Sequence, residues 1–353
     1  MLTYELLRTP AAHETDAALN SQLARQIQAA IDGGGDSGGS LAVVADFVPG
    51  EAVAEGTDVV VVRQGAGGAI SVPAHVGAIV FESSQPVAAT LNLESTVVVR
   101  MGGGDDTLAL ASPSGGYADL VVSVDLGAGD DVFVGARDAR NHVVGGAGDD
   151  LMLGGMRNDL FEVGEGSDTV DAGTGYDQAL VRGSIGDYIA AVDAEGSLVL
   201  THRSSGEVTR LANLEFLTFE DGAVMLAVTS ESGFVAASLY EVILGRGADP
   251  VVHQAFANAD HLALVQAANG MLESPEFASK FGPVSELSDS ALLEILYASA
   301  FDQPADPDGL GYWLDRLANG MSRGEVAVQI ARSAEAHAEF GATIHLIDKD
   351  PFG

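Results

Sequence analysis

Three hydrophobic rhythms follow one another along the chain. In the first, Leu19, Leu23, Ile27 and Ile31 recur every four positions, a helical stripe ended by Gly33-Gly34-Gly35. Thr9-Pro10 and Thr15-Asp16 fit helix starts before it. From residue 41 to 100 the apolar runs are short and β-branched (59–62, 70–72, 78–81, 96–99), with Gly, Pro and Ser between them, which predicts strands. From Gly233 the period lengthens to 3.6, and helices are predicted over 234–244, 262–272, 275–281, 291–301, 310–319, 325–332 and 334–346. These rhythms divide the chain into an N-terminal amphipathic helix with a Gly/Ser linker (1–40), a β region (41–229) and a helical region with a tail (230–353).

Inside the β region lies a nine-residue rhythm, densest between residues 100 and 182. Residues 145–180 read GGAGDDLML, GGMRNDLFE, VGEGSDTVD and AGTGYDQAL, four tandem units of the form G-G-x-G-x-D-x-U-x with U apolar. Aspartates recur at Asp150, Asp159, Asp168 and Asp177, with Met152, Phe161, Val170 and Ala179 two residues on. The turn glycines are Gly146 and Gly148, Gly155, Gly164 and Gly166, and Gly173 and Gly175. Two isolated units precede the array, one carrying Asp106 and one carrying Gly127, Gly129 and Asp131. Asn141-His142-Val143 keeps the rhythm with asparagine in the aspartate slot, and Asp119-Leu120-Val121 fits a further degenerate unit.

The glycine half of a unit enters backbone conformations closed to other residues and makes a tight turn. The D-x-U half is a very short strand with U facing inward. Stacked units bring acidic turns together, and like charges that close repel unless a cation sits between them. Carboxylate and carbonyl oxygens suit a hard cation such as Ca²⁺.

Composition agrees. Lys and Arg number 16 against 51 Asp and Glu, a net charge of −35, which argues against nucleic acid as a partner and opposes compaction without counter-ions. Hydrophobic residues make up 47% but aromatics only 6%, a core of Val, Ala and Leu. Cysteine is absent, so no disulfide supports an extracellular life, and bound calcium would have to supply that support. The opening residues lack the apolar core of a secretory signal, and no apolar run is long enough to cross a membrane as a helix.

The array resembles the calcium-binding nonapeptide repeats of the RTX, or hemolysin-type, family. That resemblance implies a right-handed parallel β-roll with two units per coil, several bound Ca²⁺ ions and export through a type I route without a cleaved leader. It also implies that repeats two apart stack. Asp131, Asp150 and Asp168, extended by Asp106, would form one row and Asn141, Asp159 and Asp177 the other, with the Asn141 site the weakest. Residues 183–228 resemble the closing strands that follow such arrays.

The helical region is duplicated: Leu239-Tyr240 and Ala248-Asp249-Pro250 return 57 residues later as Leu296-Tyr297 and Ala305-Asp306-Pro307. Residues 306–313 resemble an uncharacterised helical domain found beside calcium repeats in secreted bacterial proteins of surface layers and matrices. Asp302, Asp306, Asp308 and Gly309 echo an EF-hand loop, but Pro304 holds its first ligand position, so a helix-capping loop is expected. Tyr312 and Trp313 are expected in the core. Gly35–Gly39 copies the nucleophile string of trypsin-like proteases, yet too little chain separates His13 from Ser37 for that fold, and it reads as linker.

No H-E-x-x-H or G-x-S-x-G motif occurs. The expectation is a secreted, non-enzymatic, calcium-folded protein with a structural or adhesive role at the cell surface, its partners being calcium and either further copies or matrix components. Two alternatives stand beside it: a glycan- or protein-binding module acting through the helical region, and an enzyme with an unrecognised carboxylate site.

Overall fold

Strands of three to six residues bounded by turns suit a coil that changes direction every few residues, and the chain uses them that way. In the computed structural model, residues 43–44, 52–62, 68–94, 97–111, 120–228, 230–248, 259–341 and 344–346 are described. The N-terminal helix, the linker, Asp119 and the last seven residues lie outside this set. The described residues fall into two compact units, one within 1–193 and 199–222, the other within 194–198 and 223–353.

The first unit is a parallel β-solenoid of about six turns over residues 59–181. One sheet takes β1 (Val43–Val44), β2 (Val59–Val62), β4 (Ala78–Phe81), β6 (Val97–Arg100), β8 (Val121–Asp125), β10 (Arg140–Val144), β12 (Leu160–Val163) and β14 (Gln178–Val181) in that order. The other takes β3 (Gly68–Val72), β5 (Ala88–Leu93), β7 (Thr107–Ala111), β9 (Val132–Val134), β11 (Leu151–Gly155) and β13 (Thr169–Gly173). Each coil thus gives one strand to each sheet, and all these neighbours pair in parallel.

Alternation within each strand sends the U residue into the narrow interior. Leu108, Phe133, Val143, Met152, Phe161 and Val170 are each 0% exposed. Their large side chains fill the space between the sheets, so six thin coils share one continuous core. The Val59–Val62 and Ala78–Phe81 strands are buried on both faces, as their unbroken apolar runs require.

Two expectations change here. The segment after the array does not simply seal it with hairpins. β17 (Val208–Ala212) pairs in parallel with β13, and β18 (Phe216–Phe219) with β14, so the solenoid continues after an excursion through β15 (Tyr188–Val192) and β16 (Leu198–His202). In addition, the residue level with Asn141 on the preceding coil is Val122, not Asp119.

The second unit holds seven helices among the described residues: α1 (Glu231–Leu244), α2 (His261–Leu272), α3 (Pro275–Phe281), α4 (Asp289–Phe301), α5 (Pro307–Ala318), α6 (Arg323–Ala331) and α7 (Ala334–Phe340). Most start earlier than their apolar periodicity, because a capping Ser or Asp precedes each: Ser230, Asp260, Ser274, Ser288, Asp306, Ser322 and Ser333 accept main-chain N–H bonds. The last predicted helix is corrected. It ends at Phe340, and Ile344–Leu346 forms a strand, β20, paired in parallel with β19 (Val224–Val228).

The duplication is visible in three dimensions. α1 ends at Gly245 and α4 at Asp302, both left-handed at φ 59° and 50°. Arg246 bonds both oxygens of Glu276, at 2.7 and 3.0 Å, where Gln303 bonds Glu335 at 2.9 Å in the second copy. A tyrosine is buried in each, Tyr240 and Tyr297.

Candidate metal centre

The coils place the repeat aspartates one above another. Asp106, Asp131, Asp150 and Asp168 stand in one row just before β7, β9, β11 and β13, each 1–2% exposed. A single hydrogen-bond pattern links them: the Val87 N–H donates to Oδ1 of Asp106 (2.8 Å), Asp106 N–H to Asp131 (2.7 Å), Asp131 N–H to Asp150 (2.9 Å) and Asp150 N–H to Asp168 (3.1 Å). The second oxygen of all four, Oδ2, is buried and accepts no hydrogen bond. Four buried carboxylates therefore have one oxygen satisfied and one not.

A buried charge left this way is expensive, and burial raises the pKa of each carboxyl accordingly. Asp131 is pushed up to about 7 by burial, opposed by the Asp106 N–H and reinforced by the charges of Asp150, Asp106 and Asp105. Asp168 rises to about 7 and Asp150 to about 6, again through burial first, with neighbouring carboxylates adding to both. Asp106 is raised by burial as well.

The turns beside this row are packed main chain on main chain. Gly103, Ala128, Ala147 and Glu165 form successive parallel bridges across the coils. A Cβ on Gly127 would lie 2.1 Å from the Gly102 carbonyl oxygen, and on Gly146 2.0 Å from that of Gly127. On Gly164 it would lie 1.9 Å from the Gly146 oxygen, while Gly129, Gly148 and Gly166 form a second such column. Positive φ at Gly127, Gly129, Gly146, Gly148 and Gly166 completes the requirement for glycine.

The opposite row is built differently. Asn141, Asp159 and Asp177 stack, with Asn141 N–H on Asp159 Oδ1 (2.7 Å) and Asp159 N–H on Asp177 Oδ1 (2.7 Å). Asn141 Nδ2 also donates to Asp159 Oδ1 (3.0 Å), and the Gly155 N–H donates to Asp159 Oδ2 (2.7 Å). Asp159 still rises to about 6 through burial, against these three hydrogen bonds and with no neighbouring charge adding to it. Gly173 and Gly175 have positive φ on this side, but Met156 and Arg157 stand where the other turns carry small residues.

Two features escaped the sequence. Glu215 extends the second row, its Oε2 accepting the Asp177 N–H at 2.9 Å. Outside the first row runs an exposed ladder: the Asp130 N–H donates to Asp105 (3.1 Å), Asp149 N–H to Asp130 (2.8 Å) and Ser167 N–H to Asp149 (2.7 Å). Its signal was the doubled aspartate of GDD. The rows end where apolar residues take the slot, at Val87 and Val122.

Among the described residues no three carboxylate, imidazole or thiol side chains gather at one point. Any ion here would draw further ligands from main-chain oxygens. The donor set of the first row is oxygen only, buried and short of positive charge, which fits a hard divalent cation. Asp302, Asp306 and Asp308 form no such set: Asp306 caps α5, accepting the N–H of Asp308 (3.0 Å) and Gly309 (2.9 Å).

A family model described as a domain of unknown function, DUF4214, matches residues 268–340, from within α2 to the end of α7. No RTX repeat family is detected. No curated protein and no solved structure matches the chain. No described helix is long and apolar enough to cross a membrane.

Proposed function

We propose that this chain is a secreted, calcium-folded repeat protein of the RTX type, with a structural or adhesive role at a bacterial cell surface and no enzymatic activity. The observation that carries this reading is the column of Asp106, Asp131, Asp150 and Asp168, whose orphaned buried oxygens require either protons or cations. Those four carboxylates, with main-chain oxygens of the glycine turns, would hold Ca²⁺. Bound calcium would supply positive charge that offsets buried carboxylates and part of the net −35.

Extracellular calcium modules commonly bind at about 10⁻⁴–10⁻³ M, so such a chain stays loose in calcium-poor cytoplasm and folds after type I export. Binding to the folded state alone stabilises it by mass action. The decisive experiment is circular dichroism with light scattering, from EGTA to about 10 mM calcium, with magnesium as control. A cooperative gain of β signal with calcium alone is expected. An identical spectrum with and without calcium removes the proposal. A parallel rise in particle mass places self-association in its role; constant mass assigns it to a monomeric adhesin.

A further inference from the structure

Tyr312 overturns the expectation that it lies in the core. Trp313 is half-buried and donates its indole N–H to the Tyr297 hydroxyl (3.1 Å), but Tyr312 is 49% exposed. The Arg316 guanidinium, one turn on, sits over the Tyr312 ring at 4.2 Å from its centroid. No residue of α5 is fully buried. Beside α5 opens a cleft of about 600 Å³, lined by Tyr312, Asp315, Arg316, Asn319, Met321 and Glu325.

The contents of this cleft are selective. Arg316 has no carboxylate partner among the described residues, and the Asp315 carboxylate is likewise unengaged there. The Asn319 amide nitrogen donates to the Asp315 carbonyl at 2.6 Å, leaving its side-chain oxygen as an acceptor. Glu325 is held by His261 at 3.0 Å. Two carboxylates against one guanidinium disfavour an anion, and the guanidinium disfavours a metal ion. A neutral ligand rich in hydroxyls satisfies both kinds of group, since hydroxyls donate to carboxylates and accept from guanidinium. The aromatic ring supplies a flat apolar surface for a C–H face.

The duplication adds an independent argument. At the offset of 57 residues, Trp313 corresponds to Phe256 in sequence, so an aromatic residue is kept at that position. Tyr312 and Arg316 correspond to Ala255 and Ala259. A pair required by the helical fold itself would be present in both copies.

We propose that the α5–α6 cleft binds a neutral hexopyranose, with the sugar ring against Tyr312 and its hydroxyls on Asp315, Arg316 and Asn319. This goes beyond the calcium reading and does not depend on it, because every residue invoked lies in the second unit.

The test uses the full chain in calcium. Trp313, the one tryptophan in the sequence, has its ring 4.8 Å from Tyr312 and reports directly. Its fluorescence is titrated with methyl α-D-glucopyranoside, methyl α-D-mannopyranoside and methyl β-D-galactopyranoside. At least one should give a saturable change in the millimolar range, weakened at least about tenfold by Tyr312→Ala and by Asp315→Asn. Asp315 is exposed, so its variant keeps the test valid should Tyr312→Ala lose helical circular dichroism. No saturable change with any of the three sugars overturns the proposal, as do two variants that bind like the parent. Tighter binding of glucuronate than of glucose overturns it too, by making the cleft an anion site on Arg316.

Discussion

The two aspartate rows occupy equivalent places on opposite sides of one solenoid, yet they settle their buried charge by different means. In the row of Asp106, Asp131, Asp150 and Asp168, every Oδ1 takes one N–H and every Oδ2 takes nothing. In the other row, Asn141 and Gly155 bring three N–H groups to Asp159. Asp150 and Asp159 both rise to about 6, but neighbouring carboxylates reinforce the rise only at Asp150. At Asp159 the main-chain N–H of Gly155 reaches the second oxygen and the Asn141 amide adds a further donor to the first, so this carboxylate is partly satisfied within the fold. The repeat motif alone therefore does not decide how a buried carboxylate is satisfied; the groups that reach it from its own turn and from the neighbouring coil do.

The sharpest way to break this comparison is to remove one carboxylate from each row. Asp150→Ala interrupts the first row between Asp131 and Asp168 and so damages two adjoining sites. On the calcium reading each site would stabilise by about 2.7 kcal/mol at about 100 times its Kd, so the loss of two should shrink the calcium-dependent rise in Tm by about 15 °C. Asp159→Ala should also lower that rise, but by about half as much. Equal losses in calcium-loaded melts would show that the rows do not differ.

Making the second row resemble the first is the converse experiment. In Asn141→Asp the amide donors to Asp159 (3.0 Å) and Ala136 (3.3 Å) disappear and a second carboxylate faces Asp159. Without calcium the variant should lose about 1–3 kcal/mol, and with calcium it should gain a larger rise in Tm than the parent. A metal-free Tm identical to the parent's contradicts the account of this row.

Protons offer a third route, because they neutralise the same oxygens. Asp131 and Asp168 titrate near 7 in the fold, far above the ordinary value of 3.8. Between those values the folded chain holds more protons than the unfolded one, so metal-free stability is fully present at acid pH and is lost as pH rises through about 7. Metal-free Tm should be higher at about pH 5 than at about pH 8. Calcium needs the ionised form, so the calcium midpoint should move the opposite way, to lower concentration as pH rises. Asp150→Asn should shrink both trends; if the trends persist unchanged, overall charge repulsion rather than the first row is their source.

Most of the solenoid was legible because its physics is local: glycine turn, buried aspartate, inward apolar residue, repeated at a fixed spacing. What failed was non-local. Val122, not Asp119, stands level with Asn141, and Val124, not Val121, stands level with Val143, a register that only the pairing of β8 with β10 reveals. The strand Ile344–Leu346 reads as helix by periodicity, since its partner β19 lies far back in the sequence. Helix starts were misplaced because capping residues are polar and fall outside the apolar period. Adjacent Tyr312 and Trp313 point about 100° apart on a helix, so both could not face one core.

Glu215 shows the same limit at the smallest scale. It follows Asp177 by 38 residues, after the excursion through β15 and β16, and no glycine turn announces it. Its role is visible only when β18 lies beside β14, which brings its carboxylate to the Asp177 N–H. Glu215→Gln keeps an acceptor oxygen at that place and should leave stability nearly unchanged. Glu215→Ala removes it and should cost about 1 kcal/mol, a shift in Tm of about 3 °C. Because the bond is main chain to side chain and the second row is already partly satisfied, this loss should be similar with and without calcium. A loss confined to calcium-loaded protein would instead make Glu215 a ligand, and the second row would then need a cation as much as the first.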